Sequence, residues 1–161
     1  MTSAPATLSL PTASPELAAR LQEGLAAVDA LMRSEIDHDD PFVAQASAHL
    51  ADAGGKRFRP LLTLLTAELG TGLNDQVVAA AAGVELTHLA SLYHDDVMDE
   101  AELRRGSASA NARWDNHVAI LTGDFLFSKS SELTASLGPE AVRIQAQTFT
   151  RLVEGQILET L

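Results

Sequence analysis

The sequence predicts an all-α protein, a helical bundle joined by short connections. Three observations predict it. Apolar residues make up 46% of the 161 positions while aromatics make up 4%, and an Ala/Leu-rich core with few β-branched runs favours helix over sheet. Apolar positions recur at three- and four-residue spacing along most of the chain. Start and stop signals, Ser/Asp before Pro and Gly after the last apolar residue, bracket those stretches.

The elements follow in order. Met1–Ser14 is rich in Ser, Thr, Ala and Pro, lacks the basic and apolar regions of a signal peptide, and reads as a disordered tail ahead of one domain over 15–161. Ser14-Pro15-Glu16 is an N-cap, a proline in the first turn and an acid facing the helix dipole. Leu17, Leu21, Leu25, Val28 and Met32 then mark the buried stripe. Asp40-Pro41 opens a second helix, which Gly54-Gly55 closes. A third is expected after Pro60, through Leu61–Leu69, with a stop at Gly70. The fourth and longest runs from about Asp75 to Asp99; its Ala79–Ala82 segment lets neighbours pack closely. Glu100–Ser109 reads as a polar loop, followed by a short helical segment near Ala110–Asp115. A fifth main helix covers His117–Leu137 and a sixth starts at Pro139-Glu140 and still runs at Leu161. No strand and no internal repeat is expected. Because the last helix meets no capping signal, the chain is expected to end inside a larger fold, and so to expose apolar surface and aggregate or bind a partner.

A net charge of −11 argues against general nucleic-acid binding. The longest apolar run, Val77–Val84, is too short to cross a bilayer, and the absence of Cys excludes disulfides and thiolate metal sites. A cytoplasmic protein is expected. Five of the 11 Lys and Arg residues crowd into Lys56–Arg59 and Arg104-Arg105, a distribution suited to binding an anion, although solvated turns also carry such clusters.

Three constellations carry chemistry. In His94-Asp95-Asp96-Val97-Met98-Asp99, Asp95 and Asp99 are four apart and share a helix face. Two carboxylates at a helix C-terminus repel each other and the dipole, which a cation offsets; Mg²⁺ binds through one or two carboxylates and bridges to phosphates. A hydrated acidic helix end has the same spacing, so the pair alone leaves both readings open. His88 lies seven residues before Asp95, two turns along the same face, and extends the polar stripe. In Gly54-Gly55-Lys56-Arg57-Phe58-Arg59-Pro60, glycines free the backbone for close approach, and Lys56 and Arg59 supply a point charge and a bidentate fork for a diphosphate. Arg104-Arg105-Gly106 could fold two guanidiniums back toward metal-bound phosphate.

Gly-Gly-Lys-Arg-x-Arg-Pro, then Glu-Leu-x-His, His-Asp-Asp-x-x-Asp, Arg-Arg-Gly and Gly-Asp-Phe-Leu at Gly123–Leu126 occur here in order. In this the chain resembles the N-terminal half of the trans-polyprenyl diphosphate synthase family. The resemblance implies an isoprenoid-synthase helical fold, apparently truncated, and a Mg²⁺-dependent prenyltransferase that condenses isopentenyl diphosphate with an allylic diphosphate. It implies that Asp95 and Asp99 bind Mg²⁺ with Asp96 beside them, that Arg104 binds the allylic diphosphate, and that Lys56, Arg59, His88 and Arg105 hold isopentenyl diphosphate. It assigns Arg57 a lesser role, tuning the local field. Family chains are about twice as long and carry a second aspartate-rich motif, and no acidic cluster after Asp124 supplies it. A homodimer or a complementing chain is the expected partner.

In the family an aromatic a few residues before the first Asp floors the cavity. Here Ala90 and Ser91 hold those positions, with Thr87 and Gly83 further back and no Phe or Trp along the helix, so a long-chain product is expected. Two other readings compete. One is a non-catalytic fragment or subunit that binds diphosphate or a partner chain. The other is an HD-type metal phosphohydrolase, which needs several metal-bound His; His38, His49 and His117 have no matching context.

Overall fold

The computed structural model describes residues 14–160; the expected tail, apart from Ser14, and the terminal Leu161 lie outside them. Seven helices form: α1 (Pro15–Ile36), α2 (Pro41–Asp52), α3 (Phe58–Ala67), α4 (Asp75–Met98), α5 (Ala110–Arg113), α6 (Asn116–Ala135) and α7 (Pro139–Thr160). The N-caps act as their side chains dictate. Ser14 Oγ accepts from Leu17 N, Asp40 from Phe42 N and Val43 N, and Asn74 from Val77 N, so each satisfies first-turn amides that have no partner inside the helix.

α4 is the axis of the bundle. It lies against α6 along most of its length and packs against α1 and α3 on other sides. Close approach of α4 and α6 depends on small residues. A Cβ on Gly123 would run into His94 and stand 3.1 Å from the Ala90 carbonyl oxygen, and one on Gly83 would stand 3.1 Å from Thr134 Oγ1. Val28, Leu50, Leu86, Leu89, Tyr93 and Leu126 are the large fully buried side chains around this axis. Tyr93 also ties α4 to α2, its hydroxyl donating to Ala46 O at 2.6 Å and accepting from Leu50 N at 3.2 Å.

Two sequence expectations are corrected. The third helix starts at Phe58 rather than after Pro60. Proline has no N–H to offer, but in a first turn that group has no intrahelical acceptor anyway, so Pro60 fits inside α3. The segment Glu100–Ser109 is not wholly a loop: β1 (Leu103–Arg104) pairs with β2 (Ser107–Ala108) in a small antiparallel hairpin. Its two turn residues, Arg105 and Gly106, have φ of 53° and 81°, the sign that a two-residue type I′ turn demands at both positions.

Candidate functional site

The candidate side chains collect around the C-terminal half of α4, from three directions. α4 itself presents His88, Ser91 and Asp95, and its C-cap is Asp99. The α2–α3 connection brings Lys56 and Arg57, and the first turn of α3 brings Arg59. The hairpin brings Arg104 and Arg105.

The basic side is a cavity of about 560 Å³ lined by Gly55, Lys56, Arg57, Arg59, Glu85, His88 and Arg105. Its cations fall into two groups. Lys56 and Arg59 are exposed and make no ion pair among the described residues. Arg57 is committed to the protein: Nε donates to Asp29 Oδ1 at 2.8 Å, one terminal nitrogen to Glu85 Oε1 at 3.3 Å and the other to Ala51 O at 3.3 Å. Arg105 donates to Gly54 O and, at 3.1 Å, to Leu50 O. Both guanidiniums thus use the carbonyls at and just past the C-terminus of α2, the negative end of its dipole. Arg57 and Arg105 are also two of three non-glycine residues with positive φ among those described, a strain that persists only where surrounding contacts hold it. A Cβ on Gly55 would lie 2.8 Å from an Arg105 terminal nitrogen, so glycine leaves room for that guanidinium.

Burial, and then the surrounding cations, set the proton affinities of His88 and Arg105. Burial first, then Arg59, Arg105, Arg104 and Arg57, drive the His88 pKa down to about 4, so the ring is neutral at pH 7. Burial and the neighbouring Arg57 also lower the proton affinity of Arg105, while Glu85 opposes them.

The acidic side is a second cavity of about 500 Å³, lined by Ser91, His94, Asp95, Met98 and Phe127 and, from α7, Phe149, Leu152, Gln156 and Thr160. Burial, and then Asp99 one turn on, raise the Asp95 pKa. The donors offered here are carboxylate oxygens. Among the described residues no three His, Cys, Asp or Glu side chains gather into a metal site. That donor set fits Mg²⁺, which takes one or two protein carboxylates and fills its shell with water and phosphate oxygens.

Asp96 does not share the face of its neighbours. One residue along a helix is a rotation of about 100°, and the Asp96 side chain is fully buried, with Oδ1 accepting from Arg104 Nε at 2.6 Å and also paired with an Arg104 terminal nitrogen. In this geometry Asp96 pairs with Arg104, while its other carboxylate oxygen is buried with no hydrogen-bond partner among the described residues. The hydrogen bond to Asp96 in turn raises the Arg104 pKa.

Adjoining both cavities is an apolar one of about 350 Å³, reached by Gly83, Thr87 and His88 of α4 and by Ile144, Phe149 and Leu152 of α7. Ala90 is not on its wall. It is fully buried against α6, whereas Ser91, one residue later, lines the acidic cavity. Phe149 of α7 lines this space and meets Phe127, on the wall of the acidic cavity, edge to face with centroids 4.6 Å apart. Sequence reading placed Glu85 in the Glu-Leu-x-His motif without a role, and it did not single out Asp29, Phe149 or Gln156. Only Glu85 gave a local signal, a charge in an apolar helix one turn before His88.

The family model for polyprenyl synthetase matches residues 40–161. The chain belongs to this family. It is 54% identical over 144 residues to nonaprenyl diphosphate synthase of Mycobacterium tuberculosis, covering 89% of this chain and 43% of that protein. It is 41% identical over 138 residues to heptaprenyl diphosphate synthase component 2 of Geobacillus stearothermophilus, covering 85% of this chain and 43% of that protein. Among solved structures, a polyprenyl synthase from Caulobacter crescentus, complexed with calcium and isoprenyl diphosphate, superposes with a TM-score of 0.83 at 36% identity over 89% of this chain and 45% of that one. A decaprenyl diphosphate synthase from Rhodobacter capsulatus gives 0.82 at 42% identity, over the same shares. The chain therefore spans under half the length of these relatives. The isoprenoid synthase fold expected from the sequence is the fold found, over about half of the full-length structures. No helix among the described residues is long and apolar enough to cross a membrane.

Proposed function

We propose that this polyprenyl synthetase chain holds the two diphosphates of a prenyl transfer, in which isopentenyl diphosphate condenses with an allylic diphosphate to give a long-chain trans-polyprenyl diphosphate. The observation that carries the proposal is the layout along α4: a basic cavity at His88, an acidic one at Asp95, and an apolar space adjoining both. Lys56, Arg59, His88 and Arg105 would grip isopentenyl diphosphate. Asp95 and Asp99 would hold Mg²⁺, with Arg104 kept in place by Asp96 to meet the allylic diphosphate. When bound, the metal supplies charge stabilisation for the leaving diphosphate. Arg104 adds a fixed guanidinium that needs no reorganisation as negative charge develops. Met98, Phe127 and Phe149 would keep water from the reacting carbons, and the tail would lie along Ser91 and Thr87. No side-chain nucleophile is required. Cytoplasmic action, and completion of the site by further polypeptide or a second chain, belong to the same proposal.

The test is turnover of both diphosphates by this chain with a family C-terminal half supplied in trans. Asp95→Ala is expected to abolish Mg²⁺-dependent turnover, and Arg59→Ala to raise the KM for isopentenyl diphosphate more than that for the allylic substrate. Normal turnover in the first variant, or equal KM effects in the second, refutes the assignment. A second reading, diphosphate binding without turnover by the chain alone, is favoured by α7, where Ile144, Leu152, Ile157 and Leu158 stay exposed; pyrophosphate binding with no activity in isolation supports it.

A further inference from the structure

Glu85, from the Glu-Leu-x-His segment, has no role in the transfer just described, yet it is the most anomalous group in the basic cavity. It is 2% exposed and lines a space otherwise furnished with Lys56, Arg57, Arg59, Arg105 and a neutral histidine. A carboxylate there repels the diphosphate for which the cavity is suited, so its presence calls for a compensating task. Its contacts point to one. Oε1 accepts from Arg57 at 3.3 Å, and Oε2 has no hydrogen-bond partner among the described residues. Arg57 is the N-cap of α3 and sits in the left-handed region at φ 47°, between the two exposed cations, Lys56 before it and Arg59 two residues after. A non-glycine residue holds that conformation only when outside contacts fix it, and the guanidinium is fixed from three elements: Asp29 of α1, the Ala51 carbonyl of α2 and Glu85 of α4. Of these acceptors, Asp29 is 43% exposed in its side chain and Glu85 2%, so the less screened charge is that of Glu85.

We infer that Glu85 is a positioning residue for the diphosphate cavity: through Arg57 it sets the turn that aims Lys56 and Arg59 at the ligand. The inference rests on the reading of this cavity as a diphosphate site. It makes a prediction opposite in sign to simple electrostatics. Removing a negative charge from an anion site should tighten binding, whereas loosening the turn should weaken it.

The experiment is calorimetric titration of the chain with inorganic pyrophosphate, for wild type, Glu85→Gln, Arg57→Gln and the double variant, with thermal melts of each. Glu85→Gln keeps the shape and removes the charge. Its affinity is expected to fall roughly five- to tenfold, the loss of one charge-assisted hydrogen bond. In the Arg57→Gln background the same change is expected to matter less than about twofold, because the two residues act through one contact. Tighter or unchanged binding in Glu85→Gln overturns the inference, and so does an undiminished loss in the Arg57→Gln background, which would mark a general effect on the fold. If Glu85→Gln does not fold, Glu85→Asp retains the charge but withdraws it by one methylene; weaker binding is expected, and unchanged affinity overturns the proposal. Failure of the wild type to bind pyrophosphate at all would instead refute the diphosphate reading.

Discussion

Pyrophosphate binding should draw a proton onto His88. In the free protein burial and four guanidiniums hold its pKa at about 4. At pH 5 roughly one molecule in ten is then protonated. A phosphate charge about 5 Å away contributes about 3 kcal/mol at an effective dielectric near 20, close to 2 pKa units, before the open mouth of the cavity screens part of it. The same ligand also neutralises the cations that depress the ring. A rise of about 1 to 2 units on binding follows, so that at pH 5 about half a proton more is held by the complex than by its components. Calorimetric titration at pH 5 in two buffers of different ionisation enthalpy reads this number. His88→Gln, which cannot titrate, subtracts the proton exchange of pyrophosphate itself. Equal proton stoichiometry in wild type and variant would refute the reasoning, as would an NMR titration of the free chain placing His88 near its ordinary 6.5. Stability carries the same signature. The folded pKa lies below the unfolded one, so His88 costs nothing above about pH 6.5 and its penalty grows as pH falls toward 4. The ceiling of about 3 kcal/mol is cut to about 1 to 2 because the ring is only part-buried, and His88→Gln should flatten the acid limb of the melting curve by that amount.

Three further outcomes are expected. Asp95→Asn should raise the melting temperature at pH 7 while eliminating Mg²⁺-dependent turnover: the folded pKa of Asp95 is raised, so its charge opposes folding above that pKa and the penalty vanishes below about 3.8, and an unchanged melting temperature at pH 7 would contradict this. Gly123→Ala should destabilise by about 1 to 3 kcal/mol in denaturant unfolding, because the added methyl meets His94 and the Ala90 carbonyl and this overpacking exceeds the gain of about 1 kcal/mol usual for Gly to Ala in a helix; a more stable variant refutes it. Ser91→Phe, on the cavity wall, should shorten the prenyl product of the complemented enzyme by chromatography, whereas Ala90→Phe, in the α4–α6 contact, should lower the melting temperature instead; a shortened product from a stable Ala90→Phe variant would show that position 90 lies on the channel after all.

Local rules were enough for much of this protein. Ser14 and Asp40 cap helices because their side chains reach amides two or three residues away, and Asp95 and Asp99 share a face because any helix turns that far in four residues. The ordered motifs from Gly54 to Leu126 likewise carried the family and its fold. What the sequence could not supply was the partner of each charge. A linear reading shows Arg57 and Arg104 as members of basic clusters, but only the fold shows that Arg57 pairs with Asp29 and Glu85 and that Arg104 pairs with Asp96. Asp96 and Ala90 turn inward where their immediate neighbours Asp95 and Ser91 line the cavity, a difference made by α6 and the hairpin packing against α4 rather than by anything within it. Phe149 reaches the apolar space from a helix some 50 residues downstream. Periodicity fixes which residues of a helix stand together; only the packing of other helices decides which of its faces is buried and which is left open to a ligand.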